Sequence, residues 1–507
     1  MPDHSCRVAV ATRAATTVTA AALIAAMLTP IPAASASSTT SHGPLHLPVV
    51  LMAAIDESPT TLGIADSNLY TLSEQDLNKT LDELQSLGVD DVRIAVPWVF
   101  VQPTSSQSYD WSKLDMVVNA AADRDMGVLG VISATPVWAG FPLNGHPDPA
   151  TYAAFASAVA TRYQGKISAY EIWNEPNGVT FWAPVSAKAY TELLKAAYPA
   201  IKAADPDATV IGGVLGAVGN IPGVSTSAVD FVTQMYADGA HGFFDALSYH
   251  PYHYVTPFSK GTEPGEPIQQ VAAISALMAT NGDAALKLWA TEYGLPTSAV
   301  SQTQQAAYIH DFVVAWQQVS GAGPMFVYTT RDSATGAFDD EANFGIFNTD
   351  WTPKLAADTI RALIVDLADG TADPFDVTPY MPANPFLQAV TVFIRQLINQ
   401  ALVVPKFVVQ LISSAIDAVV KTIAGALGIP TAGRTAAPAT TRAAPVATRV
   451  ADAPTQRRAV ATSKRQPVAS PAPNSQRRTK PVAQQHAQQR AAAGANNGHG
   501  STGRSAR

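Results

Sequence analysis

Tyr170-Glu171-Ile172-Trp173-Asn174-Glu175-Pro176-Asn177 is the stretch on which the reading of this 507-residue chain turns. The run from Ile167 to Trp173 is rich in apolar and aromatic residues and reads as a buried strand. Pro176 has no backbone N–H with which to continue a ladder, so the strand stops at Asn174 and Glu175. A carboxyl group at the end of an apolar strand loses part of its hydration, which favours the protonated form that a general acid uses. The alternative is a plain turn with a solvated amide and carboxylate.

Working outward from this strand, the chain between Pro48 and about Asp369 divides into eight strand-then-helix units. The strands are expected at Val49 to Ile55, Asp91 to Val96, Val128 to Ser133, Ile167 to Trp173, Thr209 to Leu215, Phe244 to Tyr249, Leu286 to Thr291 and Met325 to Thr329. Alternation of this kind makes a parallel sheet, and eight units point to an α/β fold of the closed (β/α)8 TIM-barrel type. An open doubly wound sheet is the alternative that periodicity leaves standing. The intervening segments carry helix signals: Ser73 followed by Asp76 reads as a cap, Leu77, Leu81, Leu84 and Leu87 recur at helical spacing, and Gly88 stops the helix. The glycine-rich run Gly212 to Gly219 follows a strand, but its spacing is wrong for a dinucleotide fingerprint and no Lys-Ser/Thr follows it. It reads as a flexible loop beside a groove.

The ends have a different composition. Arg7 and Arg13 precede an apolar stretch from Val18 to Leu28, and Ala34-Ser35-Ala36 supplies a small-residue cleavage pattern, so residues 1–36 read as a secretory signal peptide and the mature protein as exported. The single cysteine, Cys6, lies in that leader, which excludes disulfides and cysteine metal sites from the mature chain. Residues 37–47 read as a linker, 48–370 as the barrel, and 371–430 as a Pro-rich connector followed by amphipathic helices over 386–427. The apolar face of those helices has three candidate partners, the barrel, a peripheral membrane surface or another protein, and packing on the barrel is the reading adopted. From 431 to 507 the chain is built of Ala, Pro, Gln, Thr and Arg, with 13 basic residues against one acid, Asp452, a net of +12. The other 430 residues hold 19 basic and 39 acidic groups and carry −20. Such a tail cannot bury enough apolar surface to offset its ordering entropy and is expected to be disordered. In an exported protein its charge suits anionic cell-envelope polymers and not nucleic acid, with a plain solvated tail as the alternative.

In a parallel barrel the chemistry sits at the carboxyl ends of the strands. Strand 2 leads there to Arg93 and then Trp98, strand 3 to Trp138, strand 4 to Asn174 and Glu175, strand 6 to His250 and Tyr252, strand 7 to Glu292 and Tyr293, and strand 8 to Tyr328 and Arg331. Two carboxylates among aromatic rings and hydrogen-bond donors match the needs of glycoside hydrolysis, with sugars stacked on indole faces. Arg93 has a purely structural reading as well, a buried ion pair that stabilises the barrel. His250-x-x-His253 sits in a Pro-broken loop with no convincing third ligand, so no metal is expected; His253 is expected to be exposed, and Arg331 to pair with Asp332.

The Asn174-Glu175 pair and the run Thr291-Glu292-Tyr293-Gly294 resemble the acid/base and nucleophile motifs of glycoside hydrolase clan A, and within it families 39 and 5. Val92-Arg93-Ile94 with Trp98, Thr135-Pro136-Val137-Trp138-Ala139 and Tyr249-His250-Pro251-Tyr252 are similar to the second-, third- and sixth-strand motifs of those families. The resemblance covers the barrel but neither the C-terminal helices nor the tail. It implies a retaining hydrolase in which Glu175 is the acid/base, Glu292 the nucleophile and Asn174 the ligand of the sugar 2-hydroxyl. Arg93 and Tyr252 would donate to Glu292, while Trp98, Trp138, His250 and Tyr328 would contact substrate. It implies a carbohydrate substrate and no cofactor. Many clan members have a tryptophan where this chain has Tyr328. The rival reading is a non-catalytic envelope protein that binds polysaccharide on a barrel scaffold, for which two facing carboxylates would have no use.

Overall fold

The computed structural model describes residues 54–392, except 141, 142, 371 and 373, together with residue 395. The leader, the N-terminal linker up to residue 53, the tail and the greater part of the 386–427 helical segment lie outside the described residues.

Eight parallel strands close into a barrel in chain order: β1 (Leu62–Ala65), β2 (Asp91–Pro97), β3 (Gly127–Ser133), β4 (Ala169–Ile172), β5 (Thr209–Gly216), β6 (Ala246–His250), β7 (Lys287–Tyr293) and β8 (Ala322–Tyr328). Closure is explicit in the register, for β1 pairs Ile64 with Val92 of β2 on one side and with Val327 of β8 on the other. The fold is therefore the (β/α)8 barrel, and the open sheet is ruled out. The helices that follow the strands are Glu74–Ser86, Ser112–Ala122, Pro149–Arg162, Ala187–Ala204, Ala228–Ala237, Pro267–Thr280, Gln302–Trp316 and Leu355–Asp369. Their ends follow local chemistry. Ser73 Oγ accepts from Asp76 N at 3.1 Å to start the first, and Gly370, at φ +67°, ends the last in the left-handed conformation that glycine adopts without strain.

The first strand is a correction. Val49 to Ile55 does not form it: Ala54 and Ile55 are non-strand, residues 49–53 lie outside the described set, and β1 is the four-residue run Leu62-Gly63-Ile64-Ala65. Gly63 explains why it was hidden. A Cβ there would collide with the Phe326 ring and stand 2.8 Å from the Asp91 carbonyl, so the strand carries the residue that strands otherwise avoid. Ile55 instead plugs the barrel, packing with Ala65, Leu129, Ala169, Ile211, Ala246, Trp289 and Phe326 in an apolar layer. Its backbone N–H is held by Ser168 Oγ at 3.2 Å.

The glycine-rich run expected as a loop is a second correction: Gly216 belongs to β5, together with Gly212 and Gly213, which the expected strand Thr209 to Leu215 already contained. Gly213 lies at φ +78° beside a register shift, and a Cβ on Gly216 would stand 3.0 Å from the carboxyl of Glu175. The bulge and the missing side chain bring strand 5 close to strand 4 where Glu175 is placed. After the barrel, residues 385–392 form a helical segment from which Gln388 Nε2 donates to Tyr254 O at 3.1 Å. Arg395 pairs with Asp340 at 2.7 Å. Among the described residues no helix is long and apolar enough to cross a membrane.

Gly294 closes the strand-7 motif at a point where a Cβ would collide with the Tyr328 carbonyl of strand 8. Gly294→Ala is expected to push the ends of β7 and β8 apart at a cost of about 1–3 kcal/mol, read as a lowered midpoint in thermal or urea unfolding.

Candidate active site

The mouth of the barrel is built on Arg93 of β2, which is 2% exposed. Its Nε donates to Glu171 Oε2 at 2.7 Å, one terminal nitrogen donates to Asn174 Oδ1 at 2.8 Å, and the other donates to Glu292 Oε1. Glu171, fully buried in β4, takes a further hydrogen bond from Ser248 Oγ of β6 at 2.8 Å. One guanidinium thus ties together residues of β2, β4 and β7 and the turn after β4. Burial opposes its charge, but Glu171 and Glu292 outweigh burial and raise its pKa. The structural and the functional readings of Arg93 describe the same side chain.

Glu292 receives a second donor, the Tyr252 hydroxyl, at 2.7 Å from Oε2. Burial disfavours the Glu292 carboxylate, yet His250, Arg93 and Tyr252 together hold its pKa below the ordinary carboxylate value. Tyr252 keeps its proton, because burial and the negative charge of Glu292 push the phenol well up. His250 is fully buried. Its Nδ1 lies 2.9 Å from Glu175 Oε1 and 3.7 Å from Glu292 Oε2, and its Nε2 lies 3.0 Å from Thr291 Oγ1. Burial works against the imidazolium, but Glu292 and then Glu175 prevail and its pKa is raised.

Glu175 reaches this group because the chain turns sharply after Ile172. Trp173 and Glu175 have φ of +72° and +42°, and the backbone N–H of Glu175 donates to Val214 O at 2.8 Å. Asn177, fully buried, fastens the turn to strand 5 by accepting from Gly216 N and donating to Gly216 O, both at 2.9 Å. A carboxylate oxygen of Glu175, one of Glu292 and a ring nitrogen of His250 all lie within 4.8 Å of one another. Both carboxyls keep a solvent face, 23% for Glu175 and 12% for Glu292. Groups of these kinds can hold a cation, but Arg93 already supplies positive charge to Glu292 from the opposite side.

Other expected residues divide. Trp138 is half-buried, its indole N–H donates to Gln102 O at 2.7 Å, and it lines a groove of about 610 Å³ with Ser106, Gln107, Tyr109 and Thr151. Tyr328 is half-buried at the end of β8, and its hydroxyl donates to Glu341 at 3.3 Å. Trp98 is a correction: it is fully buried, stacked on Phe155 at 5.3 Å and edge-on beneath Trp138 at 5.8 Å, so it braces the neighbouring indole and offers no face to a sugar. Arg331 does not pair with Asp332. It lies 4.6 Å from the Trp351 ring centre, while Asp332 pairs with buried Lys354 at 2.8 Å. His253 is half-buried, its Nδ1 accepting from Thr256 N at 2.8 Å. Sequence reasoning missed Glu171, Ser248, Asp66 and Glu341. A lone Glu within an apolar strand was the signal for Glu171; Asp66 is buried at the end of the misplaced first strand, and Glu341 comes from a loop without pattern.

The profile of the family described as Cellulase (glycosyl hydrolase family 5) matches residues 55–322, more than half of the chain. The chain belongs to glycosyl hydrolase family 5. This family 5 protein is also 43% identical over 105 residues to endoglucanase CelA of Streptomyces lividans, a likeness covering 21% of this chain and 20% of that enzyme. The chain thus spans about a fifth of the length of that curated relative. Among solved structures, a family 39 glycoside hydrolase from Bacteroides cellulosilyticus superposes with TM-score 0.51 at 24% identity, over 61% of this chain and 64% of the other. A family 5 protein (GH5_18) of Streptomyces cattleya in complex with GlcNAc gives TM-score 0.50 at 15% identity, over 63% and 83%. At these identities the two structures bear on the fold alone. The barrel is thus that of a glycosyl hydrolase family 5 member.

Two outcomes follow for this family 5 protein. Arg93→Met leaves Glu171 and Glu292 buried without their cation and is expected to cost about 3–5 kcal/mol in urea unfolding, part of which Arg93→Met/Glu171→Gln recovers. Tyr252→Phe removes a donor to the ionised form of Glu292, so its carboxyl pKa rises and the acid limb of kcat/KM moves to higher pH; an unmoved limb would deny Tyr252 that role.

Proposed function

We propose that the protein is a secreted retaining β-glycosidase that cleaves a polysaccharide or oligosaccharide by double displacement. The observation that carries the reading is the approach of Glu175 and Glu292 carboxylate oxygens to within 4.8 Å. Retaining enzymes hold their two carboxyls about 5–5.5 Å apart, whereas inverting enzymes leave about 6.5–9.5 Å for a water. Glu292, kept ionised by Arg93, Tyr252 and His250, attacks the anomeric carbon as Glu175 passes its proton to the departing oxygen. The C–O bond to the leaving group breaks, a glycosyl ester on Glu292 forms, and Glu175 then takes a proton from the water that releases the sugar. Asn174 spends its carbonyl oxygen on Arg93, which leaves its amide nitrogen as the donor for a 2-hydroxyl. Trp138 and Tyr328 offer faces to the ring. The leader-like first 36 residues support export, and the +12 tail supports contact with anionic envelope polymers.

The name Cellulase and the partial likeness to an endoglucanase make cello-oligosaccharides the first natural substrates to try, beside other β-linked glycans. The two carboxyls are then separated by leaving group. On a 2,4-dinitrophenyl glycoside, Glu175→Gln should still release the phenol, accumulate a glycosyl-enzyme visible by mass, and turn over faster with azide. Glu292→Gln should form no adduct, with activity reduced by at least about 10³-fold. Equal losses in both variants on every leaving group would refute the separate roles, and unimpaired hydrolysis in both would refute this site. Binding of glycans without any turnover by the wild type would favour the polysaccharide-binding alternative.

A further inference from the structure

Glu341 has no part in the mechanism above, and it lies beyond the residues matched by the family profile, in the short turn Asp340–Ala342 after β8. Its carboxylate accepts from the Tyr328 hydroxyl at 3.3 Å. Among the described residues it forms no ion pair; the nearby guanidinium of Arg395 is taken by Asp340. Glu341 is exposed, and Tyr328 ties it to the carboxyl end of β8, the end of the barrel at which Glu175 and Glu292 lie. Its carboxyl is pushed up to about 7, chiefly by desolvation, then by Glu292, and further by Glu175 and Asp339, with the Tyr328 hydrogen bond pulling the other way. An exposed loop carboxylate ordinarily turns to water or to a cation and avoids such repulsion. This one feels the charge of two other carboxyls and keeps acceptor capacity free.

Its mounting is as specific as its charge. Tyr328 is edge-on to buried Phe344 at 5.3 Å, and the same phenylalanine carries Tyr252 at 5.9 Å and Tyr254 at 6.1 Å. The Tyr328–Glu341 pair therefore shares its aromatic support with the tyrosine that holds Glu292. A hydroxyl acceptor beside a phenol that both donates and accepts suits neighbouring hydroxyls of a pyranose.

We propose that Glu341, mounted on Tyr328, is the specificity-determining group for the sugar ring that Glu292 attacks, accepting hydrogen bonds from its hydroxyls and excluding rings that carry a carboxylate. The inference rests on the hydrolase reading above. A uronic acid would bring a further negative group beside Glu341 and Glu292, and Arg93 is already shared among Glu171, Asn174 and Glu292. The substrate class is thereby narrowed to neutral glycans at this subsite.

The test compares wild type, Glu341→Gln and Glu341→Ala on 2,4-dinitrophenyl β-glucoside, β-mannoside and β-xyloside and on the β-glucuronide, whose activated leaving group removes dependence on proton donation. The wild type is expected to hydrolyse at least one neutral glycoside with kcat/KM about 100-fold or more above that for the glucuronide. Glu341→Ala should lose about 10–100-fold on the neutral glycoside with its thermal midpoint unchanged. Glu341→Gln should narrow the neutral-to-glucuronide ratio by about tenfold, because it removes the charge and keeps the shape. A merely structural residue would lower both substrates alike, so an unchanged ratio in Glu341→Gln overturns the inference alone, as would ready wild-type turnover of the glucuronide. No wild-type turnover of any of the four overturns the hydrolase reading and this inference with it.

Discussion

A single buried guanidinium holds the mouth of this barrel together. Arg93 joins Glu171, Asn174 and Glu292, which come from different parts of the sheet, and it can do so because its planar fork presents several donors in fixed directions. A lysine could supply the charge but not the geometry. The cost of hiding an ion among apolar strands is met only if its partners are hidden with it, and Glu171 has no surface at all. Glu171 is thus the permanent counter-ion, with Ser248 on its second oxygen, which leaves the remaining donors of Arg93 for the groove side. The same interaction that stabilises the barrel interior also favours the ionised form of Glu292, the proposed nucleophile.

Placing the second carboxyl takes backbone strain. Ala134, Trp173, Glu175 and Val214 all have positive φ, just past the ends of strands 3 and 4 or within the bulge of strand 5. Each non-glycine residue in that region costs on the order of 1–3 kcal/mol, so four of them gathered in one mouth must be held by their surroundings. The holding groups are visible. Trp173 N donates to Ile132 O at 3.0 Å, Glu175 N to Val214 O at 2.8 Å, and the Asn177 amide grips Gly216 from both sides. The glycines of strand 5 belong to this device, since any side chain at Gly216 would displace the Glu175 carboxyl.

Period and composition made seven of the eight strands legible, because β2 to β8 are apolar runs bounded by turn signals, and their ends fall within about three residues of the expected positions. The first strand was illegible for a steric reason: its Gly63 makes room for Phe326, and the more strand-like Val49 to Ile55 competed with it. The two glutamates, Arg93, Asn174, His250 and Tyr252 were legible because strand ends in a barrel converge on one face. Trp98 shows the limit of that rule. It follows strand 2 closely in sequence, but Pro97 ends the strand and the short helix Trp98–Val101 lays the indole against Phe155 and Trp138, away from the groove. Glu341 marks the opposite failure, for a loop residue joins the mouth through tertiary contact that no local pattern announces.

Two chemically identical side chains need opposite protonation states if one is to attack and the other to donate a proton, and the surroundings of the two glutamates differ in that sense. Glu292 has a guanidinium, a phenol and an imidazole directed at its two oxygens, all of which favour the anion. Glu175 shares only the imidazole and sits against the bare backbone of Gly216. His250 lies between them with its far nitrogen on Thr291, so a change of charge at one glutamate is felt at the other through a side chain that cannot move out of the way. In the proposed reaction Glu292 becomes an ester and loses its charge; the chief support for the imidazolium then goes with it, and His250 favours the neutral form. One buried histidine, set between two carboxyls of unequal surroundings, thus couples the two groups on which the proposed reaction relies.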